Sequence, residues 1–361
     1  MACDRLSVRT RQVWWWLPRP GLSCGHWRVF AACRHCTLTS PPGSGDDRRH
    51  PSRLRRRWWR RPITGGDRIA DAPGRRLWSL FEPLHAVTYF APQCRQAFEA
   101  AGLRGFWRGY FAGRSAPLGA VGAAPVTALF YGFAPAMVAR ALPSVWELAT
   151  PRSALEARRT GAAAALRAVF AACGTGDVSA DRIAAAADLA RSAALAAQTG
   201  GRALGAANAA LPWPEQPVDV LWHAATVLRE VRGDGHVAAL LTSGLTGLEA
   251  LVLRSGSDLD RRLLQPARGW TDEEWEGARA VLTRRGLLGA TGRITEAGQR
   301  LHEDIEAITD HLAIQPWTAL GSAATDRFVE LVSPLARAAA ATLPASTPIG
   351  LPSTAAANGT P

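Results

Sequence analysis

From about residue 75 onward the apolar positions of this chain recur with a helical period; before it no period is visible. Leu77, Trp78, Leu80, Phe81, Leu84, His85 and Thr88 share one helical spacing, and Pro92 opens a second helix through Phe98. Thr150-Pro151 reads as the cap and first residue of a helix to about Cys173, and Ser179 caps an Ala-rich helix to about Ala207. Pro212, Pro214 and Pro217 then mark a boundary. Beyond it the pattern predicts a helix over 218–231 and a second one capped by Asp234 and ended at Gly244. The capping box Thr246-Gly-Leu-Glu249 opens a third. A further box, Thr271-Asp-Glu-Glu274, opens a fourth that Gly286 stops. The stretch 287–295 predicts a short hairpin with Thr291-Gly292 at its tip, and Thr295 starts a long helix through Leu312. A last amphipathic helix covers 325–343, with Pro334 as a kink. The fold class expected is mainly α: a helical N-terminal region plus a winged-helix-like module with a short β-hairpin.

This divides the chain into five parts. Residues 1–70 form a leader, 71–214 an aromatic-rich helical domain, 215–320 the winged-helix-like domain, 321–343 a C-terminal helix, and 344–361 a Pro-, Ser- and Thr-rich tail expected to be disordered.

Charge changes the picture in one respect. The net charge of +12 invites a nucleic-acid partner, yet residues 1–70 alone hold 15 Arg and four Asp. Residues 215–320 hold 11 Arg and 16 acids, so the winged-helix-like part is acidic. The leader also holds four of the six cysteines, and its Cys33-x-x-Cys36 lacks a second metal-spaced pair. Its Arg, Trp, Pro and Cys mixture is what translated GC-rich non-coding DNA yields. The expectation is a leader that is disordered or not part of the native protein. With Cys94 and Cys173 alone beyond it, no disulfide framework is expected, and the cytoplasm is the expected compartment. The uncharged stretch 115–139 contains three Pro and three Gly, which favours buried helices over a membrane span. No nucleophile, metal or phosphate motif occurs, so no catalytic residue, metal or cofactor is assigned, and an enzyme is the less favoured class.

Two candidate sites remain. Arg and Tyr among glycines can line a pocket for an anionic or aromatic small molecule, because the guanidinium donates as a planar fork. His85, Tyr89, Arg104, Arg108, Tyr110 and Arg114 are its candidates. The densest polar cluster, Arg229 to His236, adds Glu230, Arg232, Asp234 and His236, together with His223. For DNA the candidates are Arg254, Arg261, Arg262 and Arg268, with Arg293 in the wing.

The words Arg284-Arg-Gly-Leu-Leu288 and Ile294-Thr-Glu-Ala-Gly-Gln-Arg-Leu301 resemble the wing region of MarR-type regulators. Residues 75–340 as a whole resemble the actinobacterial SalK-like helix-turn-helix family. The carrying residues are Glu82-Pro-Leu-His85-Ala-Val-Thr-Tyr-Phe90, Arg104-Gly-Phe-Trp-Arg-Gly-Tyr-Phe-Ala-Gly-Arg114, Arg232-Gly-Asp-Gly-His236-Val-Ala-Ala-Leu240 and Gln265-Pro-Ala-Arg-Gly-Trp270. The resemblance implies a fold and carries over no activity. The expected function is a transcriptional regulator with DNA as partner and a helical region that binds a small-molecule effector or forms a homodimer. The alternative is a small-molecule-binding protein or enzyme that uses the aromatic pocket and the Arg232–His236 cluster without DNA.

Overall fold

The structure is a computed structural model and describes residues 73–173 and 178–350. The leader 1–70, with its Cys and His cluster, and the last residues of the tail, 351–361, lie outside the described residues.

The described residues are mainly α-helical. Helices α1 (Pro73–Phe90) and α2 (Pro92–Ala100) follow each other directly, with Pro92 at the first helical position of α2. Then come α3 (Phe106–Ser115), α4 (Ala123–Leu129), α5 (Pro135–Ala139) and α6 (Val145–Leu148), short pieces set by the Gly and Pro residues between them. The long helices α7 (Pro151–Ala172) and α8 (Ala180–Leu195) are followed by the brief α9 (Ala203–Ala209). Helix α10 (Pro217–Thr242) is the longest, at 26 residues. Helices α11 (Gly247–Ser255), α12 (Arg261–Arg268) and α13 (Asp272–Arg284) come next, then α14 (Glu296–Ala313), α15 (Gln315–Leu320) and α16 (Ser322–Ala340).

Side chains set most of these starts. Thr150, Ser179 and Thr295 each accept the N–H three residues on, and Thr246–Glu249 and Thr271–Glu274 are complete capping boxes. Thr271→Ala is expected to cost about 1 kcal/mol, read as a lower urea midpoint at unchanged m-value. An unchanged midpoint would mean that the box contributes nothing here.

The Ala-rich helix that was read to run to Ala207 breaks after Leu195, because Thr199-Gly200-Gly201 favours a turn, and α9 restarts at Ala203. The two helices read over 218–244 are one, α10, which runs straight through Gly233 and Gly235. Each glycine costs about 1 kcal/mol against alanine in a helix. Packing repays Gly235, since a Cβ there would meet Arg202 Nη1 at 2.8 Å and Leu312 Cβ at 3.3 Å. Asp234 does cap a helix, but a distant one: its Oδ2 accepts Gly205 N–H at 2.8 Å in the first turn of α9.

The expected wing is reduced to a single bridge. Among the described residues there is no β-hairpin, only an isolated antiparallel bridge between Leu288 and Ile294. Gly292 makes the predicted tip, with φ +82°, and Gly289 N–H reaches Arg293 C=O at 2.8 Å. Thr295 N–H donates to Leu287 C=O at 3.1 Å on the other side of the bridge, and the pairing ends there because Thr295 caps α14; Ile294 N–H points away from the pair, to Gly256 C=O at 3.0 Å.

Three apolar cores result. The first gathers Leu84, Leu166, Leu221, Trp222, Phe328 and Leu335 from α1, α7, α10 and α16. A second holds the aromatic cluster of α3 to α5 around Phe111, Phe130 and Phe133. The third packs Leu253, Leu264, Trp275 and Leu282 of α11 to α13 under the end of α10. Helix α10 thus belongs to both the first core and the third. Among the described residues no single helix is long and apolar enough to cross a membrane; α10 and α11 meet such a limit only together, across a 91° bend.

Candidate ligand cleft

Where the second core meets the third, a five-residue turn lies against the end of α10 and the helices after it. Phe130-Tyr131-Gly132-Phe133-Ala134 is fastened there by its own backbone. Ala134 N–H donates to Arg268 C=O (2.9 Å), and Gly132 C=O accepts Trp270 Nε1–H (2.9 Å). Tyr131 O–H donates to Leu245 C=O (2.7 Å). The approach is so close that a Cβ on Gly247 would overlap the Tyr131 carbonyl.

A cleft of about 240 Å³ opens along this seam. Its aromatic wall comes from Trp78, Tyr110, Phe130, Tyr131 and Phe133. Six arginines face it: Arg75, Arg114, Arg229, Arg232, Arg254 and Arg268. At one end Arg114 grips Glu230 with two hydrogen bonds, Nε at 3.0 Å and Nη2 at 3.1 Å, and lies 4.1 Å over the Phe130 ring. Arg229 Nη1 meets the same carboxylate at 2.9 Å. At the other end Arg75 and Arg232 both pair with Glu306 and Asp310, and Arg232 lies 4.6 Å over Trp78. Arg254 pairs with Asp258 at 2.5 Å.

Arg268 differs. It lies 4.6 Å over the Phe133 ring, and its hydrogen bond runs to its neighbour's carbonyl, Ala267, at 3.2 Å. Among the described residues no carboxylate comes within the 4.0 Å of an ion pair. Burial lowers its pKa, Tyr110 opposes that, and Arg114 and Arg229 lower it further. A desolvated guanidinium beside two others, with a free donor edge, is suited to a planar anion.

The expected ligand residues therefore separate into groups. Tyr110, Arg114, Arg232, Asp234 and His236 line the cleft, and Glu230 holds Arg114 from behind. His85 and Tyr89 join a buried chain instead. Thr226 donates to Trp222 C=O, so its oxygen accepts His85 Nδ1–H (2.9 Å), leaving Nε2 to accept Tyr89 O–H (2.8 Å). His236 Nδ1–H likewise donates to Thr309, whose own proton goes to Ile305 C=O. Arg104 and Arg108 lie elsewhere, on a surface pocket of about 300 Å³ with Phe106, Trp107 and Arg140. His223 is buried edge-on to Trp213. Arg75, Trp78, Glu82, Phe130, Phe133 and Glu306 escaped sequence reasoning; the i, i+4 pair Glu306 and Asp310 opposite Arg232 was the legible clue.

The DNA candidates fare differently from one another. Arg254, Arg261 and Arg262 are each neutralised, by Asp258, by Asp272 and Glu276, and by Asp260. Arg268 turns into the cleft, and Arg293 stands exposed beside the single bridge. The first turn of α13 exposes Asp272, Glu273 and Glu274.

A family model described as a helix-turn-helix family matches residues 74–345. The chain belongs to this helix-turn-helix family. No curated protein and no solved structure matches it. The family match covers both sides of the cleft, so the turn 130–134 is as much a part of the helix-turn-helix chain as α11 to α13.

Two buried histidines give a pH dependence. Burial, with Arg158 nearby, lowers His223 to about 4; burial and then Arg229 hold His85 well below the usual range. Both are neutral in the fold but bind a proton below about pH 6.5 when unfolded, so stability falls as pH drops from about 6.5 toward 4. The slope is up to about 1.4 kcal/mol per pH unit for each. Urea midpoints at pH 7 and pH 5 read it, and His223→Leu is expected to make it shallower while His85 keeps its share. Equal midpoints at the two pH values would contradict the burial argument.

Proposed function

We propose that this helix-turn-helix protein is a transcriptional regulator whose cleft takes a small anionic effector. The observation that carries the reading is Arg268. It belongs to α12, its side chain stands on Phe133 of the turn 130–134, and its carbonyl holds Ala134. An anion on Arg268 therefore touches both sides of the seam, and its binding free energy is coupled to how α11 and α12 sit. At 240 Å³ the space lies below the usual range for drug-sized ligands, which favours a compact effector.

A second reading, ligand binding without DNA, is favoured by the acidic start of α13 and by the neutralised Arg254, Arg261 and Arg262. Mobility shifts of the full chain on DNA from upstream of its own gene, at low and moderate salt, separate the two. A salt-sensitive shift at low salt supports the regulator. Its absence at low salt removes DNA from the reading and leaves the cleft.

A further inference from the structure

Arg158 of α7 is 3 % exposed, yet no carboxylate among the described residues pairs with it. Its Nη2 donates to Asn208 Oδ1 at 3.0 Å, its guanidinium lies 5.4 Å from the Trp222 ring centre, and its Nε has no partner. Glu230, the acid whose charge is felt at Arg158, is already held by Arg114 and Arg229. Tyr89 cannot supply the missing charge, because burial raises its pKa and keeps the phenol protonated. A buried cation without a counter-charge costs several kcal/mol.

Beside it is a cavity of about 10 Å³, close to the size of one water, lined by Thr88, Tyr89, Tyr110, Arg114 and Arg158 among others. Apart from Tyr89, the polar groups there can donate. The Thr88 oxygen accepts Trp222 Nε1–H, and Tyr110 accepts Arg114 Nη1–H, so each hydroxyl keeps its own proton to give. Tyr89 spends its proton on His85. A water there would leave the Arg158 charge uncompensated, whereas a halide supplies the counter-charge and accepts from donors alone. A neighbouring pocket of about 30 Å³ shares Thr88, Tyr89 and Tyr110 and is bordered by the exposed Arg95 and Phe106.

We infer that this cavity is a binding site for one monovalent inorganic anion of halide size, held by Arg158 and Arg114 and the Tyr110 and Thr88 hydroxyls. Binding to the folded chain alone raises its stability by mass action. The test compares melting of the full chain in sodium chloride, bromide and gluconate at equal ionic strength. Chloride and bromide are expected to raise Tm by at least about 2 °C over gluconate, with a bromide anomalous peak beside Arg158 in crystals. Asn208→Asp supplies a carboxylate to Arg158 and is expected to abolish the halide difference; Arg158→Met should do the same if it folds. Equal Tm in the three salts together with no bromide peak overturns the inference. So does a halide effect that persists in Asn208→Asp.

Discussion

Replacing Glu230 with alanine is expected to destabilise the fold by about 3–5 kcal/mol, the cost of leaving buried charge unpaired. Glu230 is fully buried in the middle of α10, and two guanidiniums depend on it: Arg114 through two hydrogen bonds and Arg229 through an ion pair. Burial alone would raise its pKa, but Arg114 and Arg229 outweigh burial and hold it below the usual carboxylate range. Its contribution is therefore present above the unfolded-state value of about 4.3 and is lost as pH falls through the folded one. Urea denaturation reads the loss. The double variant Glu230→Ala, Arg114→Met should lose less than the sum of the two single losses, because each single change strands a charge that the pair would hide. Strict additivity would mean that the two side chains do not interact.

Gly247→Ala is expected to cost about 1–3 kcal/mol or more and to loosen the cleft. The added methyl would overlap the Tyr131 carbonyl and come 3.1 Å from Gly132 Cα, and these obstacles are backbone, which cannot rotate away. The turn 130–134 would have to lift from α11, straining the Tyr131–Leu245 and Trp270–Gly132 hydrogen bonds. Gly277→Ala is the control. It lies in α13, where a Cβ meets nothing within 4 Å, so the change should stabilise by up to about 1 kcal/mol. If Gly247→Ala behaves like Gly277→Ala, the close approach does not exist in solution.

Local chemistry was the legible part of this fold. Thr150, Thr246, Thr271 and Thr295 cap helices as their spacing predicts, since the cap and the N–H it accepts are three residues apart. Gly233 and Gly235 signal a break in α10 locally, while the reason for Gly235 lies in Arg202 and Leu312, remote in sequence. The wing is shorter than its pattern predicts because Thr295, which closes the pair on Leu287 C=O, is already the cap of α14. Neutralisation of the DNA candidates was in part legible, since Asp258 lies one turn from Arg254 and Asp260 two residues before Arg262. The cleft was legible in its residue types but not in its pairing. Arg114 and Glu230 are 116 positions apart, and Arg268, picked out for DNA, meets Phe133 across 135.

The central claim is that one anion site on Arg268 joins the turn 130–134 to α11 and α12. Hydrogen exchange of the full chain, with and without benzoate, a compact planar monoanion, tests it most directly. The prediction is slower exchange in 130–134 and in 245–270 at the same probe concentration, with both effects lost in Arg268→Gln. Protection of one segment without the other, or protection undiminished in Arg268→Gln, would contradict it.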